Sequence, residues 1–386
     1  MESPPTPRPT DQDLLTAMGQ GGIRTIFTVP CTVTAGWAAL ASEASRHGAL
    51  RLQPTTHEGN LVGLAIGHWF GTGEPALIHL QNSGLANAAD GLISCAGAEV
   101  FDLPLVALIT WRGHDASDVS EPHQAIGRRT QALVAEVFGP EAVITGDRHG
   151  LEDPLQGLAS AIQAARQGGR GVLQLSPAAF IASPAEAVTS ADDRQWWSDE
   201  ATGGTSSPAT LDGSRSSAPD RDAAIAAILA AHPDAAVLFS NGYTARAAQA
   251  VGDRPGNFYN VGYMGGTLAI GWSLACSRPD LEVVVVDGDQ NAQMSAMKDH
   301  LFHRSPANLH WYVLDNGVGA SVGSPSSLPL ASAYRRLARV VTIPVDPPGP
   351  FPHPRVAVPT TAATPRSANL APLARRFRDW IASHGP

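Results

Sequence analysis

Two hydrophobic runs end in side chains that could hold a metal ion. The stretch "VVVVDGDQNAQM", Val283 to Met294, places Asp287, Gly288 and Asp289 directly after four valines, and "WYVLDNGVG" ends in Asp315, Asn316 and Gly317. Four β-branched residues in a row suit a strand buried on both faces, as in a parallel sheet. Carboxylates at the end of such a strand lose solvation unless something positive meets them. Neighbouring parallel strands deliver their carboxyl ends to one crevice, where ligands bind. The Asp289 carboxylate, the Asn316 carboxamide oxygen and a main-chain carbonyl just after Asn316 would form a half-shell of hard oxygen donors. Magnesium suits that shell, completing its octahedron with phosphate oxygens and water. The glycines let backbone N–H groups turn toward those phosphates.

The elements that must position these groups fall into two long segments. From Gln12 to about Ala182, apolar runs such as "IRTIFTVP", "PALIHL", "LPLVALIT" and "GVLQLS" alternate with helix-like stretches such as "EGNLVGLAIGHWFG". That alternation predicts βα units and a parallel sheet. The pattern restarts at Asp222, where "AAIAAILAAH" reads as helix, "AAVLFSNG" as strand and "VGYMGGTLAIGWSLAC" as a turn entering a helix. Residues 183–221 are rich in Ser, Gly, Asp and Pro, and predict a flexible polar linker that Trp196 and Trp197 could pin locally. The expected organisation is therefore an α/β chain with one domain over 1–182 and a second over 222–386. The second carries a Pro-rich tail and a short helix from about Asn369. No internal repeat is visible.

Composition narrows the class. With 386 residues, two domains are the ordinary expectation. The 43% hydrophobic content supports ordinary cores, while the 38 glycines and 31 prolines imply many tight turns. A formal net charge of −9 argues against nucleic-acid binding, which needs a basic face. Cys31, Cys95 and Cys276 show no CxxC spacing and read as buried free thiols in a reducing compartment. The amino-terminal stretch lacks a signal-peptide core, and no run is long and apolar enough for a membrane helix, so a soluble cytoplasmic protein is expected.

The paired motifs resemble the signature of thiamine-diphosphate enzymes, a GDG followed by an Asn pair on the next strand. The resemblance implies Mg2+ ligands at Asp289, Asn316 and the main-chain oxygen of Val318. It implies further cofactor contacts at Gly288, Gln290 and Asn291. It also implies a glutamate beside the aminopyrimidine, and "TTHEGNLVGLAIG" supplies Glu58 at that position. Met264 stands where the family props its cofactor into a bent shape with a bulky apolar side chain. Gly242, Tyr243 and Thr244, in "SNGYTARAA", complete the implied cofactor set.

The resemblance extends almost end to end with phosphonopyruvate and sulfopyruvate decarboxylases, through "TVPCTV", "LQNSGLANAADGLIS", "LPLVALITWRG", "SEPHQAIG" and "DRPGNFYNVGYMGG". It implies two thiamine-diphosphate-binding-type domains, each a parallel sheet flanked by helices, without a middle domain. The implied reaction is non-oxidative decarboxylation of a 3-substituted pyruvate, foremost 3-phosphonopyruvate to phosphonoacetaldehyde and CO2. Sulfopyruvate as substrate, a carboligase fate and a non-catalytic partner subunit are the alternatives. A doubly negative substituent needs cationic or N–H partners, ideally a planar Arg. Arg112 is the first candidate, with His114, His123, Asn82 and Ser83 near it in the matched segments. His123 could also relay protons. The family pairs domains from different subunits at its active sites, which implies at least a homodimer.

Several positions depart from the family pattern. Gln290 replaces the last glycine of GDG and Asp315 replaces the first Asn. Gly266 and Gly319 stand where relatives carry His, and Ser324-Pro325 replaces Gly-Gln. Ser321 and Ser324 remain as hydrogen-bond donors. The expected cofactor half is intact, and the expected substrate half is altered.

Overall fold

A computed structural model describes residues 8–146, 153–177, 179–181, 219–318, 340–345 and 370–385, with Tyr334, Leu337 and Val356. Trp196 and Trp197, most of the expected linker and tail, and Gly319, Ser321, Ser324 and Pro325 lie outside the described residues. The chain divides into two compact units, Met1–Trp69 with Glu74–Ser190, and Phe70–Gly73 with Ala191–Pro386.

In the first unit the chain runs α1 (Asp11–Gln20), β1 (Thr25–Thr28), α2 (Ala35–Arg46), β2 (Arg51–Pro54), α3 (Glu58–Thr72), β3 (Leu77–Gln81) and α4 (Leu85–Gly91). It continues through β4 (Leu105–Thr110), α5 (Glu121–Gly127), α6 (Thr130–Phe138), β5 (Val143–Thr145), α7 (Pro154–Arg166) and β6 (Arg170–Leu175). The six strands pair in parallel in the order β2-β1-β3-β4-β6-β5. β4, "LVALIT", is buried at every position, as a strand covered on both faces must be. The core beneath it gathers Leu14, Met18, Ile26, Trp37, Leu77, Leu108, Ile162 and Leu173. One histidine belongs to this core. His79 is fully buried among the hydroxyls of Thr28, Thr34 and Thr110, and burial pulls its pKa down to about 3, so the ring stays neutral.

The second unit runs α8 (Arg221–Ala231), β7 (Ala236–Phe239), α9 (Tyr243–Gly252), β8 (Asn257–Tyr259) and α10 (Thr267–Ser277). Then follow β9 (Val283–Gly288), α11 (Asp289–Met294), β10 (Leu309–Asp315), β11 (Val340–Pro344) and α12 (Ala371–Ser383). Its five strands are also parallel, in the order β11-β10-β9-β7-β8. The valine run is thus the central strand, with all four valines fully buried. Arg221, expected as the last linker residue, is instead the first residue of α8. The Asp220 side chain caps that helix by accepting from the Ala223 N–H.

Cys31 and Cys95 are buried and Cys276 is half-buried, and all three are free thiols. Among the described residues, no helix is long and apolar enough to cross a membrane.

Candidate functional site

The β9–β10 register pairs Val313 with Asp287 and Leu314 with Gly288. Asp289 and Asn316 therefore leave two adjacent parallel strands at the same edge. They line one cavity of about 150 Å³ with Val318, and the same cavity is bordered by Gly242, Tyr243, Thr244, Met264, Gly288, Gln290 and Asn291. Every donor from Asp289, Asn316 and Val318 is an oxygen, the chemistry that a hard divalent cation takes. The Asn316 carboxamide oxygen accepts the Val318 N–H at 2.9 Å, which folds the chain back and leaves a second lone pair on that oxygen. Gly317 makes the turn with φ of 69°, and its N–H donates to Asp315 Oδ1.

Asp287 does not reach the cavity with Asp289, although both follow the valine run. It is fully buried, and N–H groups meet its carboxylate. Asn291 Nδ2 donates to Oδ1 at 2.6 Å, and Trp311 Nε1 donates to Oδ2 at 2.8 Å. Burial pushes its carboxyl up to about 6, and the hydrogen bonds from Asn291, Trp311 and Ser240 pull the other way. The Asn291 Oδ1 accepts the Gly265 N–H at 2.8 Å, so this side chain ties the turn after β9 to the loop carrying Met264. Its amide is therefore engaged within the fold, although Asn291 borders the cavity. Met264 is 53% exposed, so it is a cavity-wall residue and not a core methionine.

Two departures from the family pattern find a physical account. Gln290 lies in the first turn of α11. Asp102 is the only non-glycine with positive φ among the described residues, so position 290 does not demand glycine. At Gly266, an added Cβ would fall 2.0 Å from the Tyr263 ring. Tyr263, which is buried, occupies the space that a side chain at 266 would need.

In the first unit, Glu58 opens α3 and is half-buried. Asn87 Nδ2 donates to its Oε2 at 2.9 Å. The carboxylate passes so close to Gly84 that a Cβ there would lie 2.4 Å from Glu58 Cγ. Arg112 is held on three sides. Its Nε donates to Asp118 Oδ2 at 2.8 Å, one terminal nitrogen donates to Thr32 Oγ1, and the other lies 3.1 Å from His123 Nδ1. Asp118 Oδ1 also lies 3.1 Å from His123 Nδ1, so that ring nitrogen faces a donor and an acceptor together. The Arg112 hydrogen bond holds the Asp118 carboxyl well below the ordinary carboxylate range, against the upward pull of burial, and His123 adds to the depression.

Asn82, expected near substrate, is fully buried. Its amide donates to the Arg112 carbonyl and Thr130 Oγ1 and accepts the Arg112 N–H, so it braces the Arg112 backbone. Ser83 is exposed and accepts from Gln81 Nε2. His114 stacks edge-on against Trp111, and neither buried ring nitrogen makes a hydrogen bond.

Sequence reasoning missed Asn87, Asp118 and Arg221. Asn87 has no motif of its own. Asp118 sits in a polar loop where it resembles any solvated acid, and Arg221 looked like linker. Each matters through what it meets in space, which spacing along the chain does not encode.

Residues 9–133 match the thiamine pyrophosphate enzyme N-terminal TPP-binding domain. The chain is 30% identical to a phosphonopyruvate decarboxylase of Streptomyces hygroscopicus, over 82% of this chain and 75% of that one. It is 28% identical to a sulfopyruvate decarboxylase of Methanosarcina acetivorans, over 83% of this chain and 79% of that one. Among solved structures, the fold matches the thiamine diphosphate-dependent 4-hydroxybenzoylformate decarboxylase of Rhodococcus jostii RHA1 with a TM-score of 0.59 at 13% identity, covering 87% of this chain and 99% of that one. Two parallel sheets, the GDQ turn paired with Asn316, and these likenesses lead to one conclusion: the chain belongs to the family of thiamine-diphosphate-dependent phosphonopyruvate and sulfopyruvate decarboxylases.

Proposed function

We propose that the protein binds thiamine diphosphate with Mg2+ and decarboxylates a 3-substituted pyruvate, 3-phosphonopyruvate foremost, to CO2 and the corresponding aldehyde. The observation that carries this reading is the shared cavity. Four separate stretches, around 242–244, 264, 288–291 and 316–318, border one space. Asp289, Asn316 and the Val318 carbonyl would hold the ion. The N-terminus of α9, which no side chain caps, would offer N–H groups to the diphosphate. Met264 would shape the cofactor from the cavity wall.

When bound, thiamine diphosphate supplies the carbon nucleophile and the electron sink for the departing carboxylate. The chain's own residues handle protons and position. Glu58 would take and return a proton at the aminopyrimidine N1′, with Asn87 holding one carboxylate oxygen so that the other stays aimed. Arg112 would engage the phosphonate through the nitrogens now bonded to Thr32 and His123. Neither partner carries a negative charge, and an anionic oxygen competes with them well. His123 would contact substrate beside Arg112.

The sulfopyruvate decarboxylase likeness favours sulfopyruvate as the second substrate, since a sulfonate asks for the same Arg. A homo-oligomer, at least a dimer, would bring a Glu58 half-site and a diphosphate half-site together from different subunits. Purified protein with thiamine diphosphate and Mg2+ should release CO2 from phosphonopyruvate, with phosphonoacetaldehyde appearing in the NMR spectrum. Parallel runs with sulfopyruvate and pyruvate rank the substituent. A coupled ketol in place of the aldehyde would mark a carboligase, and no CO2 from any of the three would mark a non-catalytic subunit and overturn the reading.

A further inference from the structure

The cavity bordered by Asp289 and Asn316 contains a charge that the family signature does not predict. Arg221 lines it, and among the described lining residues it is the only cation. Its guanidinium carbon lies 5.7 Å from the centre of the Tyr243 ring, and Arg246 approaches the same ring at 5.6 Å. Stacking on an aromatic face restrains the plane of a guanidinium.

Helix stability does not explain the placement. Arg221 is the first residue of α8, where the helix dipole disfavours a positive side chain. Nor is the position generously solvated: Arg221 is half-buried at the cavity wall. A diphosphate brings more negative charge to this guanidinium than a single carboxylate does. Asp289 is the acid in the cavity, and in the proposed site it is committed to the metal ion.

We propose that Arg221 is a direct ligand of the cofactor's diphosphate. This inference rests on the proposed thiamine-diphosphate site. The rival explanation is that Arg221 merely neutralises Asp289 until the ion arrives, and the two predict opposite signs. A diphosphate ligand strengthens binding, whereas a competitor for Asp289 weakens it.

Calorimetric titration of the full chain with thiamine diphosphate and with inorganic pyrophosphate, each with saturating Mg2+, separates them. Arg221→Met should lose about 10- to 100-fold in affinity for both probes, the range of a charge-assisted hydrogen bond to a phosphate. Its binding should also fall less steeply with added salt than that of the wild type. Arg221→Lys keeps a point charge without the planar fork and should fall between. Arg246→Gln, which touches the same ring outside the cavity, should bind as the wild type does. Unchanged or tighter binding by Arg221→Met, with unaltered far-UV circular dichroism, overturns the inference and leaves the cofactor site standing. If Arg221→Met does not fold, Arg221→Lys decides, and wild-type affinity there overturns it. A wild-type chain that takes up neither probe overturns the cofactor site itself, and this inference with it.

Discussion

Asn87 Nδ2 donates a 2.9 Å hydrogen bond to Glu58 Oε2, joining the third residue of α4 to the first residue of α3. A carboxylate held at one oxygen presents the other in a fixed direction, which a proton-transfer group requires. Glu58→Gln keeps the shape and this contact but cannot carry the proton. It should bind thiamine diphosphate and Mg2+ as the wild type does while losing about 10²- to 10⁴-fold in CO2 release. Asn87→Ala leaves the carboxylate but frees it, so kcat should fall by a smaller factor with cofactor affinity unchanged. Normal turnover by Glu58→Gln would falsify the assigned chemistry.

Gly84 tests the same carboxylate by steric means. A methyl group there would lie 2.4 Å from Glu58 Cγ, and the flexible end of Glu58 is what yields. Gly84→Ala should therefore fold with a melting temperature close to that of the wild type, yet lose most of its turnover. If the variant melts normally and decarboxylates at full rate, Glu58 does not work from the position described.

Mixing variants tests whether half-sites come from different subunits. Asp289→Ala should weaken binding of both Mg2+ and cofactor, and Glu58→Gln should bind but not turn over. Co-refolded mixtures of these two inactive chains should regain activity, because a hybrid dimer contains one site with both residues intact. Mixtures as inactive as their parents, in chains shown by co-purification through two different affinity tags to have hybridised, would place both residues of each site in one chain.

Asp118 sets a pH dependence. Its folded-state pKa lies below the unfolded value of about 3.9, so its charged form favours the fold. That contribution is fully present above about pH 4 and is lost as the pH falls through the depressed folded value. Asp118→Asn removes it. The stability gap between wild type and variant, read from urea unfolding, should be wide at pH 7 and shrink progressively as the pH falls below about 4. Because Asp118 orients Arg112 and His123, the variant should also raise KM for phosphonopyruvate more than it lowers kcat. A gap that is the same at both pH values would remove Asp118 from this role.

Trp311 and Asp287 give a stability test away from the reacting atoms. Asp287→Ala strands the buried Trp311 N–H and frees Asn291 from the turn, leaving donors without acceptors. The loss should be roughly 2–5 kcal/mol at pH 7, measured by urea unfolding. A change below about 0.5 kcal/mol would mean that other acceptors take over.

Much of the architecture was legible in the residue order. Runs such as "VVVV" and "LVALI" are apolar at every position, as strands covered on both faces are, so parallel sheets followed. Asp289 and Asn316 were legible because each directly follows a hydrophobic strand, and adjacent parallel strands share an edge. The tertiary structure alone decided which neighbouring groups those residues meet. It buried Asp287 against Trp311, turned Asn82 into a brace for the Arg112 backbone, and drew Arg221 out of an apparent linker to the cavity. It also paired Arg112 with Asp118. Strand burial is a local, repeated demand that leaves a periodic trace in the sequence. A hydrogen bond between residues brought together by folding is a single long-range event and leaves none.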